Sequence, residues 1–316
     1  MIIDDFLILN EIGLYCRIGD FYLDPKLPVN YAVISHAHGD HAVRGNENVY
    51  CTAATAAIMQ HRYHKQAGKN FNLYSWSEIF YLNGVKISFI PAGHILGSAQ
   101  ILLEYGGIRY LYTGDYKLQD DSTCETIKFV KADVLITETT FANPSTLHPN
   151  AIDEIKKFNV MNHNILLGAY SLGKAQRLTR LITDYCPQRT TFVHHSIFSL
   201  NKLYESFGFH LGNYELYNRK SMKQPDQNSI YIVPPLTFNS YIRAKNVVRA
   251  FASGWIQLQR NNDLQVLISD HVDWNDIIKM MNEVEPKEVW TLHGDGTHLK
   301  EYVKDKLKVK LLNHAH

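Results

Sequence analysis

In the first half of the chain, apolar residues come in short runs broken by Gly, Asn, Asp and Pro. Phe6-Leu7-Ile8-Leu9, Leu14-Tyr15-Cys16-Arg17-Ile18, Phe21-Tyr22-Leu23 and Tyr31-Ala32-Val33-Ile34 are too short for helices and predict strands. Residues 53–64 follow Thr52, a good helix cap, and predict a helix. Further strands are expected at 85–90, 100–104, 108–112 and 134–137, giving a β-rich layer with few helices. The pattern changes at Phe141-Ala142-Asn143-Pro144. Beyond it, a helix at 151–158, a strand at 164–168, a helix at 173–184, a strand at 191–194 and a helix at 199–207 alternate, which predicts a parallel sheet. Residues 211–228 are polar and irregular; strands return at 229–233, 247–252 and 265–269, followed by a helix–strand–helix pattern over 274–307. No internal repeat is visible. The organisation expected is an α/β domain, residues 1–142 plus 268–316, interrupted by an inserted α/β lobe, residues 143–267.

Composition narrows the function classes. The 316 residues are 45 % apolar, enough for a substantial core, and the net charge of +1 carries no global basic signature of nucleic-acid binding. Any contact with a polyanion therefore has to come from a local patch or from metal. The four cysteines (Cys16, Cys51, Cys124, Cys186) are scattered without a CxxC pair, which fits a reducing cytoplasm and argues against a Cys-based metal site. The start, Met1-Ile2-Ile3-Asp4-Asp5, has acids where a signal peptide has lysines, and no apolar run is long enough to span a bilayer.

Histidine supplies the chemistry. The strand ending at Ile34 runs into Ser35-His36-Ala37-His38-Gly39-Asp40-His41, an H-x-H-x-D-H pattern whose imidazoles and carboxylate suit zinc and similar metals. A His-rich surface loop is the bland alternative; an ordered apolar strand directly before the motif favours a metal site at a strand's carboxyl end. Three later segments repeat the plan of a strand followed by a ligand and a glycine: Pro91-Ala92-Gly93-His94, Tyr112-Thr113-Gly114-Asp115 and Trp290-Thr291-Leu292-His293-Gly294. Each alone reads equally well as a capped turn. Together they read as a site for two metals about 3.5–4 Å apart, which needs a bridging carboxylate.

This set resembles the metallo-β-lactamase superfamily and, within it, the β-CASP nucleases. Asp24 in Tyr22-Leu23-Asp24-Pro25 matches the first motif, His36, His38, Asp40 and His41 the second, His94 in Gly93-His94-Ile95-Leu96-Gly97-Ser98 the third, and Asp115 the fourth. Glu138 in Thr137-Glu138-Thr139 looks like motif A, His271 in Ser269-Asp270-His271 like motif B, and His293 in Leu292-His293-Gly294 like motif C. Tyr170-Ser171-Leu172-Gly173-Lys174-Ala175-Gln176 resembles the helix start of these nucleases, and Phe251-Ala252-Ser253-Gly254-Trp255 is most similar to the bacterial ligase-associated DNA exonuclease branch. The resemblance spans nearly the whole chain and is vague only around residues 201–245. It departs from larger relatives in a short inserted lobe and in the lack of a following RNA-binding module, so it carries no expectation of a long RNA footprint.

The resemblance implies an αββα sandwich with an inserted β-CASP-like lobe and two zinc ions, manganese being the alternative. One metal takes His36, His38 and His94; the other takes Asp40, His41 and His293; Asp115 bridges them. Asp24 orients a ligand or the water, and His271 is the expected general acid, held by Glu138. Ser98, Ser171, Lys174 and Ser253 are candidate phosphate contacts, although each alone is more often a simple cap. His61 and His64 read as a solvated or phosphate-facing helix end, His194-His195 as a lining pair, and His298 as structural. The aromatic residues are assigned to the core, with no stacking residue named.

The implied function is zinc-dependent hydrolysis of phosphodiester bonds in single-stranded or end-containing nucleic acid. DNA exonuclease work in repair, beside a DNA ligase and a helicase, ranks first; an RNA-processing nuclease with the same site ranks second. A small-molecule metallohydrolase is the rival from another class, weakened by the presence of Glu138, His271, His293 and the lobe. A catalytically dead binding module predicts damaged ligands, and none is missing.

Overall fold

The computed structural model describes residues 1–218, 228–241 and 247–312. The chain divides into two compact units. Met1–Leu118, Cys124–Leu147 and the chain from His271 onward form the first; Gln119–Thr123 and His148–Asp270 form the second.

Two sheets face each other in the first unit. One holds β1 (Leu7–Leu9), β2 (Leu14–Cys16), β3 (Phe21–Leu23), β4 (Tyr31–Val33), β5 (Asn48–Cys51) and β6 (Asn70–Leu73) in chain order. It is antiparallel through β3 and parallel from there on. Helix α1 (Ala53–Tyr63) joins β5 to β6 and starts as expected, the Thr52 side chain accepting from the Thr55 N–H. The other sheet holds β7 (Phe80–Leu82), β8 (Val85–Pro91), β9 (Ala99–Tyr105), β10 (Ile108–Tyr112), β11 (Val134–Glu138), β18 (Glu288–Leu292) and β19 (Lys308–Leu311). Its spatial order is β19-β18-β11-β10-β9-β8-β7.

The two-residue period sets which side chains meet. Ile87, Phe89, Ile101, Leu103, Tyr110, Tyr112, Val134, Ile136 and Trp290 point inward against Phe6, Cys16, Phe21, Leu23 and Val33 of the facing sheet. Their neighbours Ile90, Leu102, Leu111, Leu135 and Val289 point outward and are covered by α6 (Trp274–Val284) and α7 (Thr297–Val303). Burial on both faces is why β11 reads as an unbroken apolar run rather than an alternation. This is the αββα sandwich that the motifs implied.

The second unit is a six-stranded, wholly parallel sheet: β12 (Asn164–Gly168), β13 (Thr190–Val193), β14 (Glu215–Leu216), β15 (Ser229–Val233), β16 (Val247–Ala252) and β17 (Leu264–Val266), in the order β14-β13-β15-β12-β16-β17. Helices α2 (Ala151–Lys156), α3 (Lys174–Tyr185), α4 (His195–Ser206) and α5 (Pro235–Ser240) connect its strands. The apolar side chains of α3, Ala175, Leu178 and Ile182, pack on Ile165, Leu167, Ile230 and Ile232.

Several boundaries differ from expectation. Helix α4 starts at His195, not at 199, because the His194 ring takes the capping role usually given to Ser or Asp, accepting from the Ser196 N–H. The last strand of the lobe ends at Val266 rather than 269. Strands β5 to β7, β14 and β19 and helix α5 were not expected. β6, Asn70-Phe71-Asn72-Leu73, is polar and half-exposed at the sheet edge, where alternation is weak, and α5 opens on Pro234-Pro235, which resembles a turn until its Pro at the first helical turn is considered. Residues 219–227 of the irregular segment, and the C-terminal Asn313 to His316, lie outside the described residues.

Candidate metal centre

Each ligand segment leaves a strand and turns sharply. After β4, Ser35 is pinned by its carbonyl, which accepts from the Ala99 N–H at 2.8 Å, and the loop that follows closes by Ala42 N–H donating to the His38 carbonyl at 2.8 Å. Arg62 of α1 donates to the Ala37 carbonyl. Gly114, at φ 54°, has to be glycine for a second reason: a Cβ there would lie 2.8 Å from the Ser35 side chain. The His94 turn has Gly93 and Gly97 at φ 75° and 74°. Ser98 Oγ accepts from the His94 and Ile95 N–H groups at 3.0 and 3.1 Å, and Lys117, itself buried, donates to the His94 carbonyl at 3.2 Å. At the far end, β11 and β18 pair in parallel with Glu138 opposite Leu292, which sets Glu138 and His293 side by side.

These turns bring the predicted ligands together. His38 Nδ1 lies 3.1 Å from both His36 Nε2 and His94 Nε2. Asp115 Oδ2 closes the group at 3.6 Å from His36 Nε2 and 3.8 Å from His94 Nε2. A tetrahedral ion at about 2.0–2.1 Å from each donor needs donor–donor edges of about 3.3 Å, so the spacing fits. The chemistry fits as well. Three ring nitrogens and a carboxylate oxygen aimed at one point carry too few protons to satisfy one another by hydrogen bonds, whereas a cation satisfies all four.

Asp115 also lies 3.3 Å from His41 Nε2, and His41 Nε2 is 3.8 Å from Asp40 Oδ2. The His41 and His293 rings are 5.1 Å apart. Asp40, His41 and His293 are thus neighbours, but the donor groups that converge within 4.8 Å are His36–His38–His94–Asp115, Asp24–His36–His41 and Asp115–Glu138–His271 among the described residues. Asp40 remains largely exposed, with 80 % of its side-chain surface open.

Asp24 sits beneath the cluster in a left-handed conformation, φ 44°. It accepts four hydrogen bonds: from Ser35 N–H at 2.7 Å, Ser35 Oγ at 2.5 Å, Tyr112 Oη at 2.9 Å and His41 Nδ1 at 2.8 Å. That bond fixes which nitrogen His41 turns to Asp115. Burial would push His41 down, but the Asp115 and Asp24 carboxylates outweigh it and hold the imidazole well above its usual value. Burial likewise opposes ionisation of Asp115, and the surrounding imidazoles, His41 foremost, bring it well below the carboxylate range. Tyr112 is pushed well above its normal range by burial and by Asp24, so it stays protonated and donates.

Glu138 is buried. Its Oε2 accepts from His271 Nδ1 at 2.8 Å and from Thr140 Oγ1 at 2.8 Å, while Oε1 accepts from the Tyr116 N–H at 3.1 Å. His271 Nδ1 is 3.9 Å from Asp115, and its side chain keeps 30 % of its surface exposed.

The four candidate phosphate contacts fare differently. Ser98 is buried and committed to holding the His94 turn. Ser171, Lys174 and Ser253 belong to the second unit. Ser253 Oγ accepts from the Trp255 N–H at 3.1 Å. Lys174 is buried, donating to the Ile268 carbonyl and lying 3.2 Å from Asp270 Oδ2, so a phosphate contact requires that pair to open. Ser171 is half-buried, its carbonyl taking a hydrogen bond from Gln176. Sequence reasoning missed Ser35 and Tyr112, which hold Asp24, and Thr140, which holds Glu138. Ser35 and Tyr112 adjoin recognised motifs, and that adjacency was the available signal.

Fold and donor chemistry together make the first unit an αββα sandwich whose loops gather imidazole and carboxylate donors suited to a divalent metal. Comparison with known proteins takes this further. The family profile described as the Beta-lactamase superfamily domain matches residues 22–195, and the chain belongs to that superfamily. It is similar to a probable DNA ligase of Opitutus terrae, 29 % identical over 309 residues that cover 93 % of this chain and 30 % of that protein. It is similar to the endoribonuclease ysh1 of Aspergillus fumigatus, 36 % identical over 112 residues covering 33 % of this chain and 13 % of that one. An RNase J-like protein of Methanocaldococcus jannaschii is 29 % identical over 211 residues, 56 % of this chain and 49 % of its own. The chain spans less than half the length of each of these relatives. They agree with the resemblance to the β-CASP nucleases. A crystal structure of a protein of unknown function from Enterococcus faecalis V583 shares the fold, with a TM-score of 0.61 over 90 % of this chain and 79 % of that one at 14 % identity. No helix among the described residues is long and apolar enough to cross a membrane.

Proposed function

We propose that this protein is a metal-dependent nuclease that hydrolyses phosphodiester bonds in nucleic acid, with zinc ahead of manganese as its metal. His36, His38 and His94 would hold one ion and Asp40, His41 and His293 a second, with the Asp115 carboxylate within reach of His36, His41 and His94. A divalent metal bound there supplies hydroxide near neutral pH and offsets charge on a phosphate. The remaining work falls to the chain. Asp24 keeps His41 oriented, Glu138 holds the proton of His271 on Nδ1, and the opposite nitrogen of His271 passes a proton to the leaving oxygen.

The observation that carries this reading is the Glu138–His271 pair at 2.8 Å, set beside the donor cluster with His271 Nδ1 3.9 Å from Asp115. A hydrolase acting on an activated small ester has less need of a general acid held in this way; an alkoxide leaving from a phosphodiester needs one. DNA ends in cytoplasmic repair are the leading substrate, supported by the ligase-named relative that matches nearly all of this chain, which also supports a ligase as partner; a helicase partner rests on the branch resemblance alone. RNA is the second reading, supported by the relatives named as endoribonuclease and RNase J-like. End-labelled single-stranded DNA and RNA, each incubated with zinc or manganese, separate the two. Failure to cut either overturns the nuclease reading. His271→Ala is expected to keep its metal and lose about 10²–10⁴-fold in turnover; loss of metal in that variant would reassign His271 to the ligand set.

A further inference from the structure

The parallel sheet of the second unit brings the carboxyl ends of all its strands to one edge, where open α/β sheets hold ligands. β13 exits into His194-His195, β14 into Tyr217, and β15 into Pro234 and α5. These exits enclose a cavity of about 390 Å³ whose walls include His194, His195, Tyr217 and Tyr241, with Thr237 and Ser240 at α5.

Four of the seven described lining residues carry rings. The His194 and His195 rings lie 3.9 Å apart, and Tyr217 is 6.4 Å from His194. The Tyr217 and Tyr241 hydroxyls pair at 2.5 Å, which braces the two rings. His194 Nδ1 accepts from the Ser196 N–H at 3.3 Å, which leaves the ring proton on Nε2. Burial, and then His195, hold its pKa below the usual histidine value, so the ring is uncharged at neutral pH.

The walls choose among ligand classes. Among the described lining residues none is acidic, so these walls do not repel a polyanion. The described walls mix rings and the apolar Leu216 with the Thr237 and Ser240 hydroxyls. A flat heterocycle with hydrogen-bonding edges satisfies both kinds of surface. The same sheet edge continues to Tyr170, two residues past β12 and 52 % exposed, and to Trp255, three residues past β16 and 45 % exposed. From β14 to β16 the strand spacing gives an edge about 19 Å long.

We infer that this cavity is a stacking site for a nucleobase of single-stranded nucleic acid, with Tyr170 and Trp255 continuing the platform along the same sheet edge. The inference rests on the nuclease reading and adds to it a subsite in the second unit, away from the metal ligands in sequence.

The test is binding of a fluorescein-labelled single strand of about 12 nucleotides, as DNA and as RNA, followed by anisotropy. Hydrolysis of bis(p-nitrophenyl) phosphate runs in parallel as a reporter with no flanking bases. His195→Ala, at an exposed position, and Tyr217→Leu are expected to weaken strand binding about tenfold and to leave reporter turnover unchanged. Tyr217→Phe keeps the ring but loses the hydroxyl brace to Tyr241, and is expected to bind more tightly than Tyr217→Leu. If wild-type protein cuts a strand while His195→Ala and Tyr217→Leu bind it undiminished, the cavity is not a base site and the nuclease reading stands. If wild-type protein neither binds nor cuts either strand, the nuclease reading falls and the inference falls with it.

Discussion

Two buried clusters of ionisable side chains, one in each unit, differ in how they are satisfied. In the second unit, Arg177 on α3 is fully buried, yet its guanidinium donates to the Ser269 carbonyl at 2.7 Å, Asp270 Oδ1 at 3.3 Å and Gln119 Oε1 at 2.8 Å, with Asp121 3.7 Å away. Lys174 completes the group against Asp270. Opposite charges meet and most donors find acceptors; the buried Arg177 Nε, 3.7 Å from Asp121 Oδ2, makes an ion pair but no hydrogen bond. The metal cluster is the reverse: imidazole nitrogens and a carboxylate converge on one point without enough protons to share. A cluster that pairs charge with opposite charge is architecture; one that aims lone pairs at a common centre suits a cation. Histidine count alone does not separate the two, but geometry does.

The sharpest break in that comparison is Asp115→Ala, which removes the one carboxylate touching His36, His41, His94 and His271. Cleavage is expected to vanish and metal content, measured by atomic emission, to fall; retained activity would mean the donor group is not the catalytic centre. Arg177→Met attacks the other cluster. It leaves Asp270 and Asp121 buried with reduced compensation and is expected to cost about 3–5 kcal/mol in chemical denaturation, while metal bound per folded molecule stays unchanged. Asp24→Asn is subtler: it weakens the support of His41, so metal affinity is expected to drop about 10–100-fold in a chelator competition, with little change in melting temperature once metal is saturating.

The smallest effect tests a carboxylate that belongs to neither cluster. Asp276, half-buried in the first turn of α6, is pushed up to about 6, first by burial and then by Asp273. The folded state therefore binds the proton more tightly than the unfolded chain does. Stability from this group is full below pH 4 and declines as pH rises through about 6. Linkage sets the cost of ionisation at about 3 kcal/mol, which solvent screening at a half-exposed site reduces to roughly 1. Asp276→Asn is expected to melt higher than the parent at pH 7 and at the same temperature at pH 4.

The donors His36, His38, His94 and Asp115 were legible in the sequence because each follows a strand directly, beside a glycine, so that local order alone announces it. Their supports were not. Tyr112 reaches Asp24 across 88 positions, and Arg177 reaches Asp270 across 93. Nothing in the residue types at those positions marks such a partner, because a buried tyrosine hydroxyl or guanidinium is satisfied by whatever acceptor the fold delivers. The fold class was legible from the change in apolar periodicity near Pro144. The start of α4 was not, because an imidazole serves as its cap, and β6 was hidden by a polar edge with little alternation.

The five residues Gln119–Thr123 lie between two stretches of the first unit in sequence yet pack with the second. For anyone dissecting the protein, this makes the lobe a poor cassette. A fragment cut at residues 148–270 omits Gln119 and Asp121 and strips the Arg177 guanidinium of two of its partners. Transplanting the lobe into another scaffold, or exchanging it between relatives, therefore calls for two segments to be moved together, the second of them only five residues long.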